Sequence, residues 1–87
     1  MPSRPTVRLY ARPDCHLCDE AREGLERMRA GGAEFEVEEI DIDSDDELLR
    51  RYLERIPVIA IGDEVICDLG LDEGGLRARL GTLSPHD

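Results

Sequence analysis

The chain has 87 residues, which is enough for one small domain spanning residues 1–87, with most apolar positions needed for packing. Its net charge of -10, from 21 acidic and 11 basic residues, repels phosphate backbones and anionic lipid headgroups, and therefore argues against a nucleic-acid or membrane partner. The sequence contains arginine but no lysine, so a phosphate-binding loop that ends in a lysine is excluded.

The first residues, Met1 to Pro5, lack the apolar stretch of a secretory signal, and no segment approaches the length that crosses a membrane. We therefore expect a cytoplasmic protein, in which a close pair of cysteines is more often catalytic or metal-binding than structural. The odd number of cysteines, three, also argues against a framework of disulfides.

The chain opens with a predicted strand and a predicted helix. Residues Thr6 to Ala11 alternate between apolar and polar side chains, which is typical of a strand. A turn at residues 12–14 follows, and Asp14 is predicted to cap a helix that opens at Cys15 and ends at Gly31. The helix is indicated by apolar residues at helical spacing, namely Leu17, Ala21, Leu25 and Met28.

The middle of the chain predicts a second strand and a second helix. Residues Glu34 to Ile42 alternate acidic and apolar side chains, with a phase slip at Glu38-Glu39 that suggests a β-bulge. Ser44 is predicted to cap a helix that continues to Leu53, with Glu47 completing a capping box. Since a helical crossover separates the first two strands, we expect them to pair in parallel.

The last third predicts a hairpin. Ile56 to Ile61 is a dense apolar run, and Glu64 to Asp68 reads as the returning strand. Gly62-Asp63 between them is typical of a two-residue turn. These two strands are therefore predicted to be antiparallel.

A short helix is predicted to close the domain. Asp72 would cap it, Gly81 would end it, and Ser84 to Asp87 would form a frayed tail. The resulting order, βαβαββα, predicts an α/β fold in which a mixed four-stranded sheet carries helices on both faces. In such sheets the chemistry lies in loops at the carboxyl ends of parallel strands, where the first two cysteines stand.

The motif Cys15-His16-Leu17-Cys18 is the strongest functional signal. Residues three apart at a helix start lie on one face, so the two thiols can form a disulfide that opens and closes. The free N–H groups and the dipole of the helix favour a thiolate at Cys15 and lower its pKa below the usual value of about 8.5. A protonated His16 would lower it further, although His16 is equally compatible with a solvated helix residue.

Four features together resemble the glutaredoxin-like branch of the thioredoxin superfamily: the strand ending at Tyr10, the Cys15-to-Cys18 motif, Ile56-Pro57-Val58 before the third strand, and the Gly62-Asp63 hairpin. This resemblance implies a thiol-disulfide oxidoreductase of thioredoxin-like fold. Cys15 would be its attacking thiol, Cys18 its resolving thiol and Pro57 a cis-proline that faces the pair. The backbone at Ile56 would pair with an extended substrate segment.

The resemblance also implies the partners of the reaction. The substrates would be disulfide-containing proteins or small thiols, and glutathione or a thioredoxin-type reductase would restore the dithiol, with no bound cofactor besides the Cys15–Cys18 disulfide. Arg12 occupies the place of a basic residue that helps such proteins to hold glutathione, whereas residues 68–72 replace their Gly-Gly pair. From the residues alone, Arg12 and Arg55 flank the two catalytic segments and are compatible either with binding a substrate carboxylate or with a solvated surface position. The predicted substrate-binding residues are Arg12, His16, Ile56 and Pro57. We expect a monomer.

Two other functions are compatible with the sequence. The cysteine pair would be half of a zinc or copper site if Cys67 and either His16 or His86 completed it, although small copper-carrying domains follow the order βαββαβ. Alternatively, the fold would be a non-catalytic module whose acidic surface docks a basic partner, in a salt-sensitive way and independently of the cysteines. Cys67 itself, in an apolar strand, is predicted to be a core residue.

Overall fold

The computed structural model describes residues 4–83, and it confirms the predicted α/β fold. The strands are β1 (Thr6–Ala11), β2 (Glu36–Asp41), β3 (Val58–Ile61) and β4 (Glu64–Asp68). The helices are α1 (His16–Ala30), α2 (Asp46–Tyr52) and α3 (Glu73–Leu83), with a short 3-10 helix over Ile42–Ser44. The tail predicted at Ser84 to Asp87 lies outside the described residues.

The sheet has the strand order β2-β1-β3-β4, with β1 and β2 parallel and the other pairs antiparallel. Its register pairs Ala11 with Asp41, Tyr10 with Val58, and Val58 with Asp68. Four connecting segments therefore meet at one end of the sheet, which we call the Cys15 end: residues 12–18, 42–45, 54–57 and 69–72.

Each face of the sheet carries an apolar cluster that is covered by helices. The larger cluster lies under α1 and α3 and contains these fully buried side chains: Val7, Leu9, Leu25, Phe35, Ile59 and Leu76. The smaller cluster lies under α2 and contains Tyr10, Ile42, Tyr52, Val58 and Ala60. No helix formed by residues 4–83 combines the length and apolar character needed to cross a bilayer.

The bulge predicted in β2 is wrong. β1 and β2 pair without interruption from Thr6 and Glu36 to Ala11 and Asp41. The phase slip in the sequence arises because Val37 packs against the larger cluster and Ile40 packs against the smaller one, on the opposite face. The register shift lies instead in the β3–β4 hairpin, whose two-residue turn has Gly62 at a φ of +60°.

The capping box predicted at Ser44 is also wrong. Ser44 belongs to the 3-10 helix and its hydroxyl donates to the Asp41 carbonyl at 2.7 Å. Asp45 caps α2 instead, since its carboxylate accepts the N–H groups of Glu47 at 2.8 Å and Leu48 at 3.2 Å. The cap lies one residue later than predicted because Ser44 is the last residue of the 3-10 helix and its hydroxyl is already bonded to Asp41.

The cap of α3 lies where it was predicted, but the end of the helix does not. The Asp72 carboxylate accepts the Gly75 N–H at 3.0 Å, and the Asp72 carbonyl accepts the Leu76 N–H at 2.9 Å. Gly81 lies within the helix, which continues to Leu83. A glycine weakens a helix interior by about 1 kcal/mol relative to alanine, so it does not by itself end one.

The two candidate caps of α2 are separated by alanine substitution. We expect Asp45→Ala to lower the free energy of unfolding by about 1 kcal/mol, because two N–H groups lose their acceptor. Ser44→Ala removes one exposed hydroxyl and should have a smaller effect. Urea denaturation of both variants measures the difference, and a larger loss for Ser44→Ala would contradict the observed cap.

Candidate active site

Cys15 begins helix α1 at the Cys15 end of the sheet. It is the N-cap residue of α1, and its Sγ accepts the Cys18 N–H at 3.2 Å. Asp14, which the sequence predicted as the cap, has a left-handed φ of +59° and turns the chain from β1 into the helix. The predicted cap is thus wrong by one residue, since aspartate tolerates this conformation and leaves the capping position to the cysteine.

The cysteine pair is asymmetric in its exposure. Cys15 and Cys18 are joined by a disulfide, with their Cα atoms 5.2 Å apart. Cys18 is 0% exposed and belongs to the larger apolar cluster, whereas Cys15 is only partly buried at its edge. A molecule that approaches from solvent therefore meets Cys15.

The peptide bond between Ile56 and Pro57 is cis, and it lies at the same end of the sheet. Pro57 is buried, and Ile56 packs against both apolar clusters. The Ile56 N–H donates to the Tyr52 carbonyl at 3.1 Å, while no group within residues 4–83 donates to the Ile56 carbonyl. The backbone thus offers an acceptor here, rather than a donor, to an incoming chain.

Arg55 ties the segment before β3 to the end of β4. Its Nε donates to an Asp68 carboxylate oxygen at 2.7 Å, and its carbonyl accepts the Leu69 N–H at 2.9 Å. The guanidinium carbon lies 5.7 Å from the centre of the Tyr52 ring, within cation-π range. These contacts fix two of the four segments at the Cys15 end relative to each other.

The other basic residues predicted to contact substrate also have acidic partners. Arg12 Nε lies 3.0 Å from an Asp43 carboxylate oxygen. The His16 side chain is 84% exposed, and its Nε2 lies 2.9 Å from a Glu20 carboxylate oxygen. The structure thus brings Arg12, His16, Ile56 and Pro57 to the same end as the cysteines, but each basic side chain there already has a carboxylate neighbour.

Cys67 is the free cysteine and lies partly buried on β4. Its sulfur accepts the Asp72 N–H at 3.3 Å. Burial raises the pKa of the Cys67 thiol, and the Asp72 and Asp68 carboxylates act in the same direction against the opposing effect of that hydrogen bond. Within residues 4–83, no three His, Cys, Asp or Glu side chains are arranged to hold a metal ion, and His86 lies outside this range.

The raised pKa of Cys67 predicts slow alkylation. In the oxidised protein we expect iodoacetamide to label Cys67 slowly at pH 8, because a thiol with a raised pKa keeps its proton to higher pH. The rate should climb only as the pH passes the ordinary range for a cysteine thiol. Mass spectrometry across a pH series measures it, with N-acetylcysteine as the reference, and labelling as fast as the reference at pH 8 would contradict the prediction.

Sequence reasoning missed the ion pairs of this end. Arg12 with Asp43 and Arg55 with Asp68 join residues that are distant along the chain. Only the strand register could have identified these partners. The same holds for the contact of Arg22 with Glu39 at 2.6 Å, whereas its contact with Asp19, three residues earlier on α1, is local.

Comparison with known proteins yields a family and structural neighbours. The model of the glutaredoxin-like domain family (DUF836) matches residues 6–81. No curated protein matches the chain.

The chain is similar in fold to two bacterial proteins of known structure. Protein Ne2328 from Nitrosomonas europaea, solved in solution, is 31% identical, with a TM-score of 0.79 over 91% of this chain and 94% of that one. Protein XcR50 from X. campestris, solved by X-ray methods, is 39% identical, with a TM-score of 0.67 over 91% of this chain and 99% of that one. A malarial protein that is 14% identical, with a TM-score of 0.62 over 92% of this chain and 97% of that one, shares the fold alone.

Proposed function

This chain belongs to the glutaredoxin-like domain family of the thioredoxin superfamily, and from that premise we propose that it is a thiol-disulfide oxidoreductase. The observation that carries the proposal is the asymmetric cysteine pair. A partly exposed sulfur caps the N-terminus of α1, and a fully buried sulfur lies within bonding distance of it. This is the arrangement that a nucleophile and an internal resolving thiol require.

The reaction proceeds by two exchanges. The Cys15 thiolate attacks one sulfur of a substrate disulfide, which forms a Cys15-substrate disulfide and releases the other substrate sulfur as a thiolate. Cys18 then loses its proton and attacks Cys15, which closes the Cys15–Cys18 disulfide and releases the second substrate thiolate. Two electrons pass from the protein to the substrate, whose released thiolates take up protons.

Helix α1 supports the first step through its N-terminus. The Cys18 N–H that donates to Cys15 Sγ at 3.2 Å would donate more strongly to a thiolate, since hydrogen bonds to charged acceptors are the stronger class. The dipole of this 15-residue helix adds in the same direction. Cys15 is therefore the residue at which negative charge is favoured.

The substrate segment is held next to the cis-proline. We assign this contact to the Ile56 carbonyl, since the Ile56 N–H is already bonded to Tyr52. An external thiol, such as glutathione or a thioredoxin-type reductase, restores the dithiol in a cytoplasmic setting. The protein acts as a monomer, and the Cys15–Cys18 pair is the redox group that takes part in the reaction.

A trapping experiment tests the proposal. We expect reduced Cys18→Ser protein to accumulate a stable mixed disulfide with a peptide disulfide, because the resolving thiol is gone while the attacking thiol remains. Non-reducing electrophoresis and mass spectrometry detect the adduct at Cys15. The matched control is Cys15→Ser with Cys18→Ser, which should trap nothing.

Two outcomes would contradict the proposal. No adduct with Cys18→Ser, or an equal adduct in the double variant, would remove Cys15 as the nucleophile. The non-catalytic alternative predicts a partner that still binds, in a salt-sensitive way, after both cysteines are replaced.

A further inference from the structure

The positive charges at the Cys15 end are already neutralised. The Arg12 side chain is paired with Asp43, and the Arg55 side chain is paired with Asp68. Asp14 is exposed beside Cys15 and forms no ion pair within residues 4–83. The four segments of this end therefore present carboxylates to an incoming substrate, while their two arginines, Arg12 and Arg55, are already paired.

The exposed surface beside the disulfide is also apolar. Leu17, within the cysteine motif, is 46% exposed, and Leu69, at the end of β4, is 59% exposed. A groove lies between α1 and the β4–α3 connection, and it is lined in part by Leu17, Gly70 and Leu71. Leu17 is exposed at the edge of this groove and is the residue before Cys18, so it provides contact area for an apolar side chain of the substrate.

We infer that the preferred substrate is a disulfide carried by a cationic polypeptide segment with an apolar side chain next to its cysteine. This inference rests on the proposed function and specifies its substrate class. Glutathione disulfide, which carries net negative charge at neutral pH, meets the same carboxylates and is disfavoured. The preference acts on the first exchange, in which the Cys15 thiolate bonds to one substrate sulfur and the other leaves as a thiolate.

Matched peptide disulfides test this preference. The probes are the disulfide-linked dimers of Ac-Leu-Cys-Lys-amide and Ac-Leu-Cys-Glu-amide, each mixed with pre-reduced protein in a single turnover. The same rates measured with dithiothreitol, which also reacts as a thiolate, correct for the intrinsic reactivity of each probe toward a thiolate. We expect the corrected rate to be about tenfold higher for the lysine probe at low salt, and the ratio to fall to about twofold in 0.5 M NaCl as screening shortens the range of the charges.

One pair of variants locates the effect. Asp14→Asn removes one charge beside Cys15 and keeps a residue that tolerates a left-handed φ. One charge at roughly 8 Å in water changes the rate of each probe about twofold to threefold, in opposite directions for the lysine and glutamate probes, so the ratio should fall about fivefold. Asp63→Asn makes the same change in net charge at the β3–β4 turn, at the opposite end of the sheet, and should leave the ratio unchanged.

A third probe tests the apolar contact. The Gly-Cys-Lys probe, which lacks the leucine, should react about threefold more slowly than the Leu-Cys-Lys probe.

The outcomes separate this inference from the proposed function. A corrected ratio of one, an equal loss in Asp14→Asn and Asp63→Asn, or equal rates for the glycine and leucine probes would overturn the inference while reduction itself persists. Reduction of neither probe would overturn the proposed function, and the inference with it. A salt-dependent ratio that falls only in Asp14→Asn supports the inference.

Discussion

Cys15→Ser should reduce the rate of disulfide reduction by several orders of magnitude, to the uncatalysed background. A serine hydroxyl is not ionised near neutral pH and does not form a disulfide, so the first exchange has no nucleophile. Cys18 does not replace it, because its side chain is fully buried in the larger apolar cluster. Turnover of a peptide disulfide with dithiothreitol as the electron donor measures the loss.

The control is Cys67→Ser. It makes the same chemical change at a partly buried cysteine on β4, outside the cysteine motif. We expect this variant to keep the activity of the wild-type protein. Equal losses in the two variants, with both folded by circular dichroism, would show that the effect does not come from the attacking sulfur.

Phe35→Ala should remove about half of the free energy of unfolding of the domain. Phe35 is fully buried in the larger cluster, where its loss leaves a cavity and costs about 3–5 kcal/mol. A domain of this size has a free energy of unfolding on the order of 5–10 kcal/mol, so the variant should be partly unfolded at 37 °C. Urea denaturation monitored by circular dichroism measures the change.

Phe35→Leu is the matched control for this substitution. It keeps an apolar side chain of similar size in the same place, and we expect a loss of about 1 kcal/mol. A loss of less than 1 kcal/mol for Phe35→Ala would show that the ring is not packed as observed. Disulfide reduction should follow the folded fraction in both variants, since Phe35 lies outside the cysteine motif.

The fold could be predicted because alternation and helical spacing are local signals. The strand from Thr6 to Ala11, the two-residue turn at Gly62 and the cap at Asp72 were all confirmed. Two of the errors, the caps of α1 and α2, fall where two neighbouring residues compete for one role. Asp14 and Cys15 compete to begin α1, as Ser44 and Asp45 compete to begin α2, and the backbone of the preceding turn decides both cases.

The candidate site could be predicted only in part. The cysteine motif is contiguous, so its place at a helix start followed from the sequence. The partners of Arg12 and Arg55 did not, because these ion pairs depend on which side chains the sheet brings together. The Arg12 pair supports the inference that glutathione disulfide is disfavoured, since the basic residue expected to help hold glutathione is paired with Asp43.

Cys15 both caps α1 and is the sulfur proposed to react, so the integrity of the first helical turn and reactivity are coupled. When this sulfur bonds to a substrate it becomes a weaker acceptor for the Cys18 N–H, and the turn loosens until the internal disulfide closes. If the proposed reaction takes place, we therefore expect amide hydrogen exchange at Cys18 to be slowest in the thiolate state and fastest while a substrate is covalently attached. The exchange rate of the Cys18 amide hydrogen should therefore distinguish the chemical states of Cys15.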